Sequence, residues 1–315
     1  MRGWWQDLSD LVLPAECAGC GRSRTTLCTR CSAALRGAVP SRVRPRPAPP
    51  GLPPVHGATP YRDAVRAVLL AHKERGALGL ARPLGAALAG AVRAGLADGG
   101  AEGCGGRGRA SGGAVRAVTG PVAGAVTGLV AGPVAGPVTG LVAGPAVGSV
   151  TNSVAGVVSL VPVPSARWAV RARGHDPTRR IAYAAAAELR RAGVAARVLA
   201  VLRQRRAVVD QAGLDARQRL ANVTGALEVV GGAGGLFSGN GRIVLVDDLM
   251  TTGASLSEAA RAIAVAAGSG TVGTERGATR ARFAAPPGKA DEIGEIMLRA
   301  AVVAASPESF EINRN

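Results

Sequence analysis

The spacing of hydrophobic positions changes along the chain, and each change marks an element. Tyr61, Val65, Val68, Leu69 and His72 recur at helical spacing on one face, and Gly76 stops the helix they predict. Val157 to Val161 form an apolar run broken only by Ser159, which predicts a buried strand ending at Pro162 and Pro164. Residues 176 to 192 read as an Ala-rich helix. Ile243 to Val246 are four branched apolar residues, the mark of a short strand buried on both faces of a parallel sheet. Asp247 and Asp248 emerge at its C-terminal end. After a short turn, Leu256, Ala259, Ala260, Ile263 and Ala267 set out a helix from Ala254 with one apolar face. A last strand is predicted near Ile296 to Ala305. Short apolar strands alternating with amphipathic helices indicate an α/β fold with a mainly parallel sheet. Ligands of such sheets sit at the C-terminal ends of the strands.

Composition divides the chain further. Residues 38 to 54, rich in Pro and Arg, read as an extended linker. The expected organisation is a small unit over 1–54 and a larger domain over 55–315, interrupted at about 98–156 and 269–294. Within the first interruption, glycine recurs every fourth residue from Gly120 to Gly148, and no charge occurs from Ala117 to Ala166. That length can cross a bilayer. However, the glycines and Pro121, Pro133, Pro137 and Pro145 weaken any helix there. A flexible or partly extended insertion is expected, with no membrane span.

The turn after Asp248 carries the most specific chemistry. Thr251, Thr252 and Ser255 supply hydroxyl donors, and Gly253 permits close approach or a positive φ. Ala254 opens the helix, where unpaired N–H groups and the macrodipole favour an anion. A monophosphate fits that cradle, and two adjacent acids suit vicinal hydroxyls or a magnesium-bound group. A strand ending in Asp-Asp also occurs in nucleotide-hydrolysing proteins, but no G-x-x-x-x-G-K-[ST] loop is present to complete one. A second basic corner follows Pro164, with Arg171, Arg173 and Gly174 at a predicted strand-to-helix turn and charges suited to pyrophosphate.

Near the N-terminus, Cys17-x-x-Cys20 and Cys28-x-x-Cys31 match a closed four-thiolate Zn²⁺ knuckle of the structural kind. A redox C-x-x-C needs only one pair. The formal charge is +17, almost all from arginine, since Lys73 and Lys289 are the only lysines. Such a surface attracts phosphate-rich partners, although 3% aromatic content supplies few stacking platforms for single-stranded nucleic acid. No secretory signal is visible, and paired cysteines without a disulfide framework place the chain in the cytoplasm.

The segment from Ile243 to Ser255 resembles the signature of type I phosphoribosyltransferases, which bind 5-phosphoribosyl-1-pyrophosphate (PRPP). The four-Cys knuckle, Pro162 to Pro164, Arg171, Arg173 and Gly174, Gln211, Arg219 and Asn222 precede it in an order that resembles the ComF family, phosphoribosyltransferase-like proteins associated with DNA uptake in competence. The resemblance spans most of the chain outside the two interruptions. Where the family shows an aromatic and then Asn-Gln after Arg-Gly, this chain has His175-Asp176-Pro177. The resemblance implies a type I phosphoribosyltransferase fold and PRPP binding with Mg²⁺. Asp247 and Asp248 would hold the ribose hydroxyls, and Thr251, Thr252, Gly253, Ala254 and Ser255 would cradle the 5-phosphate. It also leaves open a non-catalytic module in DNA uptake, binding PRPP and single-stranded DNA beside helicase-type competence proteins.

Overall fold

The computed structural model describes residues 16–104, 156–208, 215–237, 242–268, 272–275, 278–282 and 295–313. The glycine repeat and Gln211 lie outside them.

In chain order the helices are α1 (Thr29–Arg36), α2 (Asp63–Lys73), α3 (Ala81–Cys104), α4 (Arg167–Arg173), α5 (Pro177–Arg191), α6 (Ala216–Val223) and α7 (Ala254–Ala266). The strands are β1 (Ser41–Val43), β2 (Val55–Pro60), β3 (Val158–Pro162), β4 (Ala196–Val198), β5 (Leu202–Gln204), β6 (Leu227–Val229), β7 (Arg242–Met250), β8 (Val272–Glu275), β9 (Ala278–Arg282) and β10 (Glu295–Ala305). The main sheet runs β1-β2-β10-β7-β3-β4, with every pair parallel except β1–β2. A hairpin of β8 and β9 adds to the N-terminal part of β10. A separate antiparallel pair, β5–β6, stands off the sheet. The protein is therefore mixed α/β with a mainly parallel sheet.

Alternation along the strands divides the core into two layers. Val244 and Val246 of β7 join Ala301 and Val303 of β10 in a layer covered by α2, α3 and α5. Ile243 and Leu245 join Leu298, Ala300 and Val302 in a layer covered by α7 and the β5–β6 pair. Successive strand residues point to opposite faces, so an uninterrupted apolar run is what a doubly covered sheet requires.

Three features depart from the sequence reading. The Pro/Arg-rich stretch is not only a linker: β1 pairs antiparallel with β2, and Val43 is buried. Val43 was obscured by its basic and proline neighbours, and the partner strand β2 reveals its role. Second, α3 was not predicted and runs seven residues into the expected insertion. Its core face is Leu84, Leu88, Ala91 and Val92, but the intervening alanines and glycines give little polar contrast. Third, β7 continues through both acids to Met250, because the long apolar strand β10 extends the ladder past them.

The small residues of α3 permit a close helix contact. A Cβ on Gly85 would lie 2.5 Å from the Ala184 Cβ and 2.8 Å from the Ala184 carbonyl carbon. Gly85→Ala gains helix propensity of roughly 0.5–1 kcal/mol, but overpacking against backbone costs roughly 1–3 kcal/mol. The expected net result is a lower denaturation midpoint. A raised midpoint would mean that the two helices do not approach this closely.

Candidate functional site

A cavity of about 350 Å³ opens at the C-terminal ends of β3 and β7. Its wall includes Asp247 and Asp248 from β7, Thr251 from the turn after it and Ser255 from the first turn of α7. Across from these lie Lys73 and Glu74 at the end of α2, with Trp168 and Arg173 from α4. The sheet therefore brings together residues that lie up to 182 positions apart in sequence (Lys73 and Ser255).

The two acids have different surroundings. Asp248 is buried, and the Lys73 ammonium lies 2.9 Å from Oδ2 and 3.3 Å from Oδ1. Burial alone would push the Asp248 carboxyl up, but the Lys73 charge and hydrogen bond outweigh it and hold the group below the usual carboxylate range. Asp247 is only partly exposed. Its Oδ1 accepts from the Asp248 N–H at 2.8 Å and from the Thr178 hydroxyl at 3.5 Å. Burial and the neighbouring Asp248 charge push Asp247 well above its ordinary value, against the weaker pull of Lys73. The pair thus favours one ionised and one protonated carboxyl, and a cation or hydroxyl ligand would shift that balance.

The turn forms by a local rule. Gly253 is the N-cap of α7 with φ 76°, a conformation that favours glycine. A Cβ there would also meet Leu52 at 3.1 Å. The first N–H groups of a helix have no intrahelical acceptor, and no side chain caps this one. Thr251 is exposed and Ser255 half-buried at the cavity wall; Thr252 is half-buried, and Gly253 and Ala254 are buried behind it. Arg219 reaches the Thr251 hydroxyl at 3.5 Å.

The second basic corner differs from expectation. Helix α4 intervenes between β3 and Gly174, so Arg171 and Arg173 occupy its last turn, and Gly174 closes it with φ 73°. Cations complement a helix C-terminus. The next N-terminus, that of α5, is capped by its own Asp176 carboxylate, which accepts from the Arg179 N–H at 3.1 Å. This corner is therefore not an open helix N-terminus. Arg173 lines the cavity and is 3.1 Å from Glu74; Arg171 is exposed and outside the cavity wall.

Lys73, Glu74, Trp168 and Thr178 were not identified as site residues from sequence. A lysine ending a charged helix usually reads as solvated. Its rarity in an arginine-rich chain was the only available signal. Two arginines of the 190–206 cluster have structural partners: Arg206 donates to the Asn222 and Thr224 carbonyls, and Arg203 pairs with Glu228 at 2.8 Å. Asn222 contributes its carbonyl there.

A second centre lies near the N-terminus. Cys17, Cys20, Cys28 and Cys31 place their sulfurs within 4.8 Å of one another, and the group can hold a metal ion. The Cys20 and Cys28 sulfurs are 3.7 Å apart, close to the edge of about 3.8 Å expected for 2.3 Å bonds at tetrahedral angles. Burial pushes the Cys17 thiol up, but backbone N–H groups of Cys28, Gly19 and Cys20 outweigh it and bring the group down to about 6. The Cys31 N–H donates to Cys28 and lowers its thiol, while burial and the neighbouring sulfurs raise Cys31. A Cβ on Gly19 would lie 2.7 Å from the Cys31 sulfur, so the fold-back of the loop requires glycine.

No helix among the described residues is long and apolar enough to cross a membrane. No family model matches the chain, and no curated protein matches it.

Proposed function

We propose that the protein is a phosphoribosyltransferase-like protein of the ComF type, which binds PRPP with Mg²⁺ and transfers its phosphoribosyl group to an acceptor. The observation that carries this reading is the convergence of Asp247, Asp248, Thr251 and Ser255 with Lys73 and Arg173 on one cavity at the strand ends. Asp247 and Asp248 hold the ribose hydroxyls, the turn from Thr251 to Ser255 cradles the 5-phosphate, and Arg173 faces the pyrophosphate. The wall sets three carboxyl groups, one of them favoured in the protonated form, against two cations, so a polyanion enters most favourably with a divalent cation. Mg²⁺, held through the acid pair and the ligand's own oxygens, would neutralise the departing pyrophosphate. Fixed ribose geometry and the nearby cations then lower the barrier to displacement at C1. The thiolate donor set and sulfur spacing favour Zn²⁺ in the N-terminal centre, in a structural role.

Calorimetric titration of PRPP with Mg²⁺ into metal-loaded protein tests the reading. Saturable binding at one site per chain is expected, with pyrophosphate release once an acceptor is supplied. A folded, metal-loaded protein that takes up no PRPP would refute it.

A second reading, a non-catalytic module binding PRPP and single-stranded DNA, is favoured by one observation. Trp168 is 55% exposed on α4 between Arg167 and Arg171, a basic helix with an available ring. It predicts DNA binding that falls steeply with salt.

A further inference from the structure

Two consecutive residues at the end of α2 carry opposite charges, and each is paired across the cavity. Lys73 holds Asp248, and Glu74 holds the Arg173 Nε at 3.1 Å. The second pair is unequal in its surroundings: the Arg173 side chain is 17% exposed, whereas Glu74 is 48% exposed. The guanidinium is thus held within the cavity wall, and its carboxylate partner can move into solvent at little cost. An exposed ion pair contributes little to stability, so this pair is readily exchanged for a better acceptor. A diphosphate offers several oxygens with more charge than one carboxylate and suits the planar donors of arginine.

We infer that Glu74 is an internal competitor for Arg173: its carboxylate occupies the guanidinium when no ligand is bound and yields it to an incoming polyanion. Glu74 is a positioning residue that sets the affinity threshold of the cavity. It keeps Arg173 aimed at the site, and it makes weakly charged anions poor ligands because they cannot displace it. Binding exchanges one ion pair for another, with no covalent step. The inference rests on the proposed anion site and names a residue that the sequence motif does not contain.

The test is titration of inorganic pyrophosphate into the full-length, metal-loaded protein, comparing wild type with Glu74→Gln, Glu74→Asp, Arg173→Gln and the Glu74→Gln/Arg173→Gln double variant. Removing the competitor is expected to tighten binding roughly twofold to fivefold, the scale of an exposed ion pair. The gain should vanish in the Arg173→Gln background, where nothing is left to release. Glu74→Asp retains the charge but shortens the reach, so it should resemble Glu74→Gln. An equal gain with and without Arg173, or Glu74→Asp behaving as wild type, would show simple charge repulsion and overturn the inference. Unchanged affinity in Glu74→Gln, with wild type binding normally, would overturn it while leaving the anion site intact. No binding by wild type or any variant would overturn the anion site and the competitor together. Circular dichroism of each variant confirms that the fold is retained.

Discussion

Replacing Asp247 and Asp248 one at a time is expected to weaken ligand binding strongly in both cases yet to shift stability in opposite directions. Each acid is proposed to bind ribose hydroxyls or a ligand-bound cation. Losing hydrogen bonds from a charged acceptor, at roughly 1.5–3 kcal/mol each, should weaken PRPP binding by about 100-fold or more when two are lost.

The stability effects follow from the protonation states. The carboxyl of Asp248 is depressed by Lys73. Its contribution is therefore present above the ordinary carboxylate value and is lost as pH falls through the depressed one. Asp248→Asn should cost roughly 1–2 kcal/mol at neutral pH, a figure discounted because Lys73 is 35% exposed and can turn to water. The carboxyl of Asp247 is raised, first by burial and then by Asp248. The native state therefore holds that proton more tightly, and stability is lost as pH rises through the raised value. Asp247→Asn keeps the acceptor for the Asp248 N–H without the charge, so it should raise Tm at neutral pH and lose that advantage in acid. Thermal melts of the two variants at several pH values read this directly. A fall in Tm for Asp247→Asn at neutral pH would mean that the ionised carboxylate is not strained.

Removing metal from the N-terminal centre is the other large expected effect. The segment from Cys17 to Cys31 has little core beyond the thiols themselves, with Leu27 and Ala64 packed against them. In such small units metal binding and folding are coupled. A strong chelator, or Cys28→Ser, should release about one metal ion per chain and make the remaining cluster thiols reactive. Ala64 lies in the first turn of α2, whose last residue is Lys73. The loss should therefore reach the cavity as weaker ligand binding, although the sheet remains folded. Metal analysis, thiol titration and far-ultraviolet circular dichroism separate these steps. An intact protein with no bound metal and slow thiols would overturn the structural role. Gly19→Ala should produce a milder loss of metal, since its Cβ intrudes on Cys31.

Much of this architecture could be read from local pattern. The run from Ile243 to Val246, the helix begun by Ala254 and the C-x-x-C pairs are encoded over a few residues by periodicity, glycine placement and ligand spacing. These features predicted a mainly parallel α/β sheet and a four-thiol cluster, both of which the structure contains. The same local reading failed where residue type gave little contrast. Helix α3 is rich in alanine and glycine between its core residues, and its partner α5 shows why small side chains were needed. Strand β1 is hidden among prolines and arginines, and β2 supplies its pairing.

The charge arrangement of the cavity was beyond sequence reading for a different reason. Electrostatic effects depend on distance and burial, and neither can be read from residues 73, 74, 173 and 248 as letters. The sequence by itself determined which residues could bind phosphate, hydroxyl or metal, because those capacities belong to the side chains and the turn. Only the tertiary structure decided that Lys73 holds Asp248, that Glu74 holds Arg173 and that Arg171 stays outside. Those pairings exist because parallel strands distant in sequence end at one edge, where the helices return their last residues to the same cavity.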